Sequence, residues 1–526
     1  MLSFQTFSIN NFQLLFAAGR TMISENPWPE HIPDSIIIFE VLLMKVALIV
    51  PGSSAAPNVA RDLVYGCWCK GRRIAGITFP PLSLLSVGTV LKQAGHEVFL
   101  VDAPAEYLTP DRVLDRTKTA DAAVVLTSSP SIDEDSGLLM MLKEKNPGLF
   151  TIVFGGFAAA EPEAVLSRPG IDVAVGGEAE YVVRDLLAAG SQEKNSWKNI
   201  NGISFLEDEK LVRRSVYPLI ENLDELPIPD RKMLPENVDY FNPVIKRMPY
   251  TTMFTSRGCP GRCTFCSSPY FYGRKYRMQS AGRVLKEIEF LSDSGYREIF
   301  FRDENFTASR GRVMDIADGI KERNIDMSWI ASTRVDMLDR DLMENMKSAG
   351  CHMLRLGVES GVQELLDNVE KGISLEQTRK AFGWARELGI DTHAHLMAGL
   401  PGETKDTLRK TLDFILDDIK PTIMTMGILT PYPGTPLFDE LKKKDPGLAD
   451  GTGVTMKNLH TGGEHTKLLC ELSPDELSSF IRRAYKSFYL RPGYIFSRIL
   501  KLRNLDELKR LTIAGSQVVG FVQGKD

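Results

Sequence analysis

Residues 255–268 read TSRGCPGRCTFCSS, and the rest of the chain is best understood outward from them. Three cysteines, Cys259, Cys263 and Cys266, stand in a C-x-x-x-C-x-x-C array. Three thiolates this close in sequence can ligate three irons of a cubane [4Fe–4S] cluster, which takes four cysteines when wholly protein-bound. No fourth cysteine lies nearby, so one iron stays open to a small-molecule ligand. Gly258, Pro260 and Gly261 favour an irregular loop that can wrap a cluster. The run before it, YTTMFTSRG, is β-branched and aromatic enough for a strand. The alternatives are a zinc site or unrelated free thiols; structural zinc is usually closed by four ligands.

The array, with Phe265 just before the third cysteine, resembles the cluster motif of the radical S-adenosylmethionine (SAM) enzymes. The resemblance implies that the amino and carboxylate groups of SAM occupy the open iron. It also implies that the reduced cluster cleaves SAM to a 5′-deoxyadenosyl radical.

At 526 residues the chain is long enough for two or three domains. A net charge of −5 gives no general reason to expect nucleic-acid binding. Seven cysteines, three of them clustered, argue for a reducing cytoplasm rather than a disulfide framework. No run of about 18 apolar residues suggests a membrane span. Residues 1–43 are a poor signal peptide. Met44 opens MKVALIVPG like a natural first strand, so residues 1–43 are expected to be an untranslated or disordered leader.

From Met44 the chain alternates between strand and helix. KVALIVP, HEVFLVDA, AAVVLTSS, FTIVFGG and IDVAVGG read as strands, and PPLSLLSVGTVLKQAG, IDEDSGLLMMLKEKNPG and EAEYVVRDLLAAG as helices. Continuous apolar strands with intervening helices imply a doubly wound parallel, Rossmann-like sheet over residues 44–190, whose ligands sit at the strands' carboxyl ends. Thr127, Ser128 and Ser129 follow the third strand, Gly155 and Gly156 the fourth, and Gly176 and Gly177 the fifth. Small residues there let a bulky ligand approach the backbone, and hydroxyls can bond its polar groups.

The block resembles the cobalamin-binding domain found ahead of many radical SAM domains, which implies that these residues border cobalamin. It lacks D-x-H-x-x-G, the motif that supplies a lower cobalt ligand, and His96 is expected to be an ordinary strand-end histidine. Cys67 and Cys69 read as free thiols on the loop after the first strand. Residues 191–245 read as a hairpin and an extended linker.

Residues 246–430 carry six strand candidates, TMFTSR, EIFFRDE, SWIASTR, HMLRLGVES, THAHLMAG and TIMTMGIL, separated by helical stretches. Six steps make a partial (β/α)6 barrel, with catalytic groups expected at the carboxyl ends of the strands. Asp303 and Glu304 end the second strand, and a carboxylate there suits the SAM ammonium. Ser332 and Arg334 end the third, and Glu359 and Ser360 the fourth, placed for the SAM ribose or carboxylate. The segment HLMAGLPGE, with Gly399, is similar to the family's adenine-binding segment. Cys351 is expected in the core, and His393 and His395 on one face of a strand.

Residues 431–526 are expected to be a helical cover, locally basic and aromatic, with peripheral membrane contact as the alternative. The arrangement as a whole resembles the cobalamin-dependent radical SAM enzymes, including methyltransferases and the anaerobic magnesium-protoporphyrin ester cyclase. It implies hydrogen abstraction from a small-molecule substrate, a lipophilic one included, then methyl transfer from methylcobalamin, with flavodoxin or ferredoxin as reductant. The alternatives are a radical oxidative cyclase and a non-catalytic cobalamin sensor or carrier. Methylthiotransfer to tRNA is disfavoured, because the upstream half has no second set of cluster cysteines.

Overall fold

Short apolar runs without polar interruption become strands buried on both faces, and five such runs build the first sheet of this computed structural model. It describes residues 43–53, 78–190, 194–214, 219–236, 238, 240, 242–446, 468–502 and 505–524 (the Tyr270 side chain excepted), with only the backbone of four short strands before residue 40. The expected leader and the Cys67–Cys69 pair fall outside the described side chains.

The strands are β1 (Lys45–Val50), β2 (Glu97–Asp102), β3 (Ala122–Leu126), β4 (Phe150–Phe154) and β5 (Val173–Val175), all parallel. Alternate side chains feed two cores. Val46, Leu48, Val124 and Ile152 pack against α1 (Leu82–Gln93) and α3 (Ala179–Ala188), while Ala47, Ile49, Val125 and Val153 pack against α2 (Ile132–Lys145).

The hairpin β6 (Ile203–Glu207) and β7 (Lys210–Arg213) was expected in the connector, but it extends this sheet, antiparallel to β5. Its reason is apolar: Ile203 and Phe205 are buried, and Trp197 packs between Phe150 and Phe205. His96, expected as an ordinary strand-end histidine, stands just before β2 and is buried. Its Nδ1 accepts the Met44 N–H at 3.2 Å and burial lowers its pKa, so it is a satisfied neutral histidine.

The extended linker ties the first sheet to the second. Asp230 meets Lys92 at 2.5 Å and donates its N–H to Thr89 Oγ1 at 2.8 Å, both on α1. The next residue, Arg231, is buried and donates to Thr251 Oγ1 at 3.0 Å and to the Thr252 carbonyl at 2.8 Å.

Those threonines belong to β8 (Tyr250–Met253), the first strand of the second sheet. A two-stranded ribbon, β9 (Ser256–Arg257) with β10 (Arg277–Met278), brackets the cysteine loop. Then come α4 (Ala281–Asp293), β11 (Glu298–Phe301), α5 (Arg310–Glu322), β12 (Ser328–Thr333), α6 (Arg340–Ser348), β13 (Cys351–Glu359), α7 (Leu375–Glu387), β14 (Asp391–Ala398), α8 (Lys405–Asp413) and β15 (Ile423–Ile428). Strands β8, β11, β12, β13, β14 and β15 pair in that order, all parallel. Outward residues such as Leu354, Leu356, Ala394 and Leu396 pack under the helices, with Cys351 buried among them.

Inward, the middle of the barrel is polar: Ser332, Arg355 and His393 are register partners. A closed barrel would fill that layer with branched apolar residues.

A partial barrel leaves an edge strand, which needs covering. Here α9 (Pro474–Tyr489), α10 (Pro492–Leu500) and α11 (Leu505–Val522) follow, and tyrosines finish the edge. The Tyr489 hydroxyl donates to the Met424 carbonyl at 2.6 Å and accepts the Met424 N–H at 3.1 Å. Tyr494 donates to the Thr422 carbonyl at 3.1 Å, and Tyr485 accepts the Met426 N–H at 3.4 Å.

Candidate functional site

The cysteine loop leaves β8 and is held by the neighbouring strand end. Asp303, just after β11, accepts the Thr255 N–H at 2.7 Å, the Thr255 hydroxyl at 2.5 Å and the Ser256 hydroxyl at 2.6 Å, with Arg312 at 3.6 Å. The Thr264 N–H reaches the Val369 carbonyl, and the Leu437 N–H reaches the Thr264 carbonyl, both at 3.0 Å. Phe265 packs against the Leu365, Val369, Leu400 and Leu437 cluster. Gly258 has φ +81°, and a Cβ there would lie 2.6 Å from the Lys275 carbonyl oxygen. This loop is irregular but anchored at both ends.

Its three cysteines are free thiols on partly buried residues. Cys259 Sγ accepts the Gly261 N–H at 3.4 Å, and the Arg334 guanidinium stands 3.7 Å from Cys263 Sγ. Arg334 is fixed by Asp336 at 2.9 Å and by the Lys371 carbonyl at 2.7 Å. Burial raises the Cys259 thiol and pushes Cys266 up to about 12. Iron ligation removes those protons, and amide and guanidinium donors near sulfur favour the resulting thiolates. Among the described residues no three His, Cys, Asp or Glu side chains converge on one ion. A cube asks something else, one thiolate on each of three irons, and this donor set fits it.

Asp303 and Glu304 were expected to share one task, and the structure separates them. The Asp303 carboxylate is occupied in anchoring the loop. Glu304 Oε2 is buried with no hydrogen-bond partner. Burial pushes the Glu304 carboxyl up to about 8, against its own backbone N–H and with a further push from Asp303.

Glu359 has φ +62° and accepts the Lys371 ammonium at 2.6 Å. A Cβ on Gly357 would come within 2.6 Å of both groups, so the pair sits where only glycine leaves room. The Ser360 hydroxyl lies within the turn after β13, 3.1 Å from both Thr411 Oγ1 and the Val362 N–H. Ser332 is partly exposed and accepts from Arg355 at 3.4 Å. Gly399, at φ +85°, and Leu400 both donate N–H groups to Glu403 Oε2. His393 and His395 stack at 4.1 Å, and each meets Thr425 Oγ1, at 3.2 and 3.0 Å. Burial holds both rings neutral, with Arg355 adding to the effect.

At the first sheet, Thr127 and Ser131 hydroxyls both donate to Asp135 Oδ2 at 2.8 Å, and Ser128 Oγ lies 2.8 Å from Ser131 Oγ. Ser129 is buried beside them. Gly155, at φ +134°, runs so close to this loop that a Cβ would lie 2.3 Å from the Thr127 carbonyl oxygen. Gly156 opens a short helix. The Gly176 N–H bonds the Gly202 carbonyl at 2.7 Å, and Gly177, at φ +88°, faces open space.

Between the sheets runs a narrow cleft, lined in part by the charged Glu178, Glu180 and Arg257. Leu82, Ser86, Leu126 and Phe154 line one side, Phe254 and Ser256 the other. The strand ends and glycine turns beside it are where the ligand of such a sheet would lie.

Sequence reasoning missed Lys371 and Glu403, and it missed the charges that link the sheets. Glu403 stands at the end of the quoted HLMAGLPGE segment, and a carboxylate beside two glycine turns was the available signal.

The Radical SAM superfamily profile matches residues 253–415, and the B12 binding domain profile matches residues 74–187. An uncharacterized methyltransferase of Pyrococcus horikoshii is 31% identical over 465 residues, covering 87% of this chain and 95% of that protein. The anaerobic magnesium-protoporphyrin IX monomethyl ester cyclase of Rubrivivax gelatinosus is 32% identical over 390 residues, covering 71% and 68%. Among solved structures, the cobalamin-dependent SAM radical enzyme OxsB with aqua-cobalamin shares the fold, with a TM-score of 0.63 at 16% identity, covering 99% and 81%. The radical SAM methyltransferase TsrM of Kitasatospora setae does so at 0.60 and 18%, covering 77% and 78%. The chain belongs to the cobalamin-dependent radical SAM enzymes, which work with a [4Fe–4S] cluster, SAM and cobalamin.

Proposed function

We propose that this enzyme methylates an unactivated position of a small molecule, drawing electrons from a flavodoxin- or ferredoxin-like donor. The observation that carries the reading is the cleft where the strand ends of both sheets meet. Similarity to a methyltransferase along 95% of that relative supports it. When bound, the cluster with SAM supplies hydrogen-atom abstraction and cobalamin supplies the methyl group.

The chain's own residues hold, orient and exclude. Cys259, Cys263 and Cys266 hold three irons, and Arg334 balances their charge. Glu304, whose Oε2 is buried without a partner, would hold the SAM ammonium, and an ammonium beside it would favour its ionised form. Lys371 and Glu359, with Ser332, would face the polar remainder of SAM, the Ser360 hydroxyl instead closing the turn after β13, and the Gly399 turn would pass its purine. Thr127, Ser128, Ser129, Gly155, Gly156, Gly176 and Gly177 shape the border of cobalamin.

Anaerobic reconstitution with isotope-labelled SAM, followed by product analysis, tests the reading. Equal amounts of 5′-deoxyadenosine and S-adenosylhomocysteine support methyl transfer. Deoxyadenosine alone supports oxidation or cyclisation, the chemistry suggested by the 32% identical cyclase. Cobalamin uptake without SAM cleavage supports a carrier.

Peripheral membrane contact is our reading of the carboxyl-terminal helices. Among the described residues no helix is long and apolar enough to cross a membrane. Yet Phe496, Ile499, Leu500 and Leu505 are 56–83% exposed, beside Lys501. An apolar ridge with adjacent cations suits an anionic lipid surface. Co-sedimentation with anionic phospholipid vesicles, lost on Phe496→Ser with Leu500→Ser, supports this; no binding by the unaltered protein refutes it.

A further inference from the structure

Four charges meet out of water between the two sheets. Glu178 and Glu180 follow the Gly176–Gly177 turn and open α3. Arg257 ends β9, immediately before Gly258 and Cys259, and Arg277 opposite it on β10 is its register partner. Arg277 grips Glu178 with both terminal nitrogens, at 2.6 and 3.0 Å. Arg257 grips Glu180 in the same way, with Nη1 3.3 Å from Oε2 and Nη2 on Oε1, and stands 3.4 Å from Glu178. All four side chains are at most 10% exposed.

Their remaining bonds come from elements that join the two sheets. Ser86 on α1 donates to Glu180 at 2.8 Å, and the Ile220 N–H of the linker donates to Glu178 at 2.8 Å. Arg277 also donates to the Ile220 and Tyr272 carbonyls, at 2.6 and 3.0 Å.

Apolar residues of similar volume would stabilise such an interface at least as well, because desolvating charges offsets most of their attraction. Forked guanidinium–carboxylate pairs supply something that apolar contact does not, a single allowed orientation. These two pairs join the turn that borders cobalamin to the residue that leads into the cluster loop.

We propose that Glu178 and Glu180 are positioning residues, which set the cluster loop at one distance and angle from the cobalamin-bordering turn so that both cofactors address one substrate. The inference rests on the cofactor assignment above and adds to it the device that aligns the two halves.

The test is pulsed electron paramagnetic resonance on the full-length reconstituted holoenzyme, reading the dipolar coupling between reduced cluster and cob(II)alamin. The unaltered enzyme should give one narrow distance distribution. Glu180→Gln and Glu178→Gln should each broaden it roughly twofold at unchanged iron and cobalamin content, as loss of a directional charge pair frees the orientation.

Distributions unchanged in a fully loaded Glu180→Gln enzyme overturn the proposal. Should the glutamine variants fail to load, Glu180→Asp keeps the charge and shortens the reach. A shift of its mean distance supports the alignment role, and no shift overturns it. If the unaltered protein takes up no cluster or no cobalamin, the fault lies in the cofactor assignment; if it takes up both and the distribution is broad, the fault lies in the alignment.

Discussion

At the ends of β3, β4 and β5 the hydroxyls and turn amides are matched within their own half. Thr127 and Ser131 converge on Asp135, Ser128 meets Ser131, and the Gly176 N–H bonds Gly202. At the mouth of the barrel the backbone is tied down just as firmly, but several side chains face inward with capacity left over. Three cysteines are free thiols, and Glu304 Oε2 is buried without a partner. One half presents a finished surface against which a large cofactor can lie. The other presents ligands that the protein alone does not satisfy. Buried polar atoms are mostly paired in native structures, and an unpaired one at the mouth of a site is a place for a ligand to bind.

The most severe way to break this contrast is at sulfur. Replacing Cys259, Cys263 or Cys266 by alanine should abolish the cluster and all SAM cleavage while cobalamin binding persists, because the loop hangs from Asp303 rather than from the thiols. Iron content and cobalamin absorbance measured on the same sample check both halves of that statement.

Glu304→Gln comes next. Losing a charge-assisted bond to an ammonium should weaken SAM binding by about 10- to 100-fold, read as a rise in KM for SAM with the cluster intact. The matching change in the finished half, Thr127→Val, should behave in the opposite way. Removing one donor from buried Asp135 should cost about 1–3 kcal/mol of stability, with little effect on cobalamin affinity per folded molecule. A large loss of cobalamin affinity at unchanged stability would show that the hydroxyl serves the cofactor directly.

Much of this was legible before any coordinates. The five strands of the first sheet and the six of the barrel stand where apolar runs and turn residues put them, since buried parallel strands announce themselves by continuous hydrophobicity. The cysteine loop was legible because three ligands lie within eight residues. Pairing partners distant in sequence were not. Nothing local distinguishes Asp303, which anchors a loop 48 positions earlier, from its neighbour Glu304, which has an oxygen to spare. The hairpin at residues 203–213 was readable as a hairpin, but its attachment to β5 depends on Trp197, Phe150 and Phe205 meeting in space. For the same reason the four-charge contact between Glu178, Glu180, Arg257 and Arg277 could not be seen in the segments that carry it.

Smaller effects sharpen the contrast at the barrel's far edge. Tyr489→Phe removes a hydroxyl that serves both the N–H and the carbonyl of Met424, and should cost about 1–3 kcal/mol in chemical denaturation without changing SAM affinity. The least effect is a slope. Burial raises Glu403 from its ordinary 4.5 to about 7, against the Gly399 and Leu400 N–H groups. The folded state therefore holds a proton that the unfolded state has released, and Glu403's contribution to stability falls as pH rises from about 4.5 through about 7. Glu403→Gln should flatten that part of the stability profile, measured by denaturant titration at each pH.

The most direct measurement is low-temperature electron paramagnetic resonance of the anaerobically reconstituted, dithionite-reduced protein, recorded with and without SAM. A reduced [4Fe–4S] signal whose g-values shift when SAM is added would mean that SAM has reached the iron that three thiolates leave open. A cluster spectrum indifferent to SAM, or one that survives removal of all three thiols, would contradict the account.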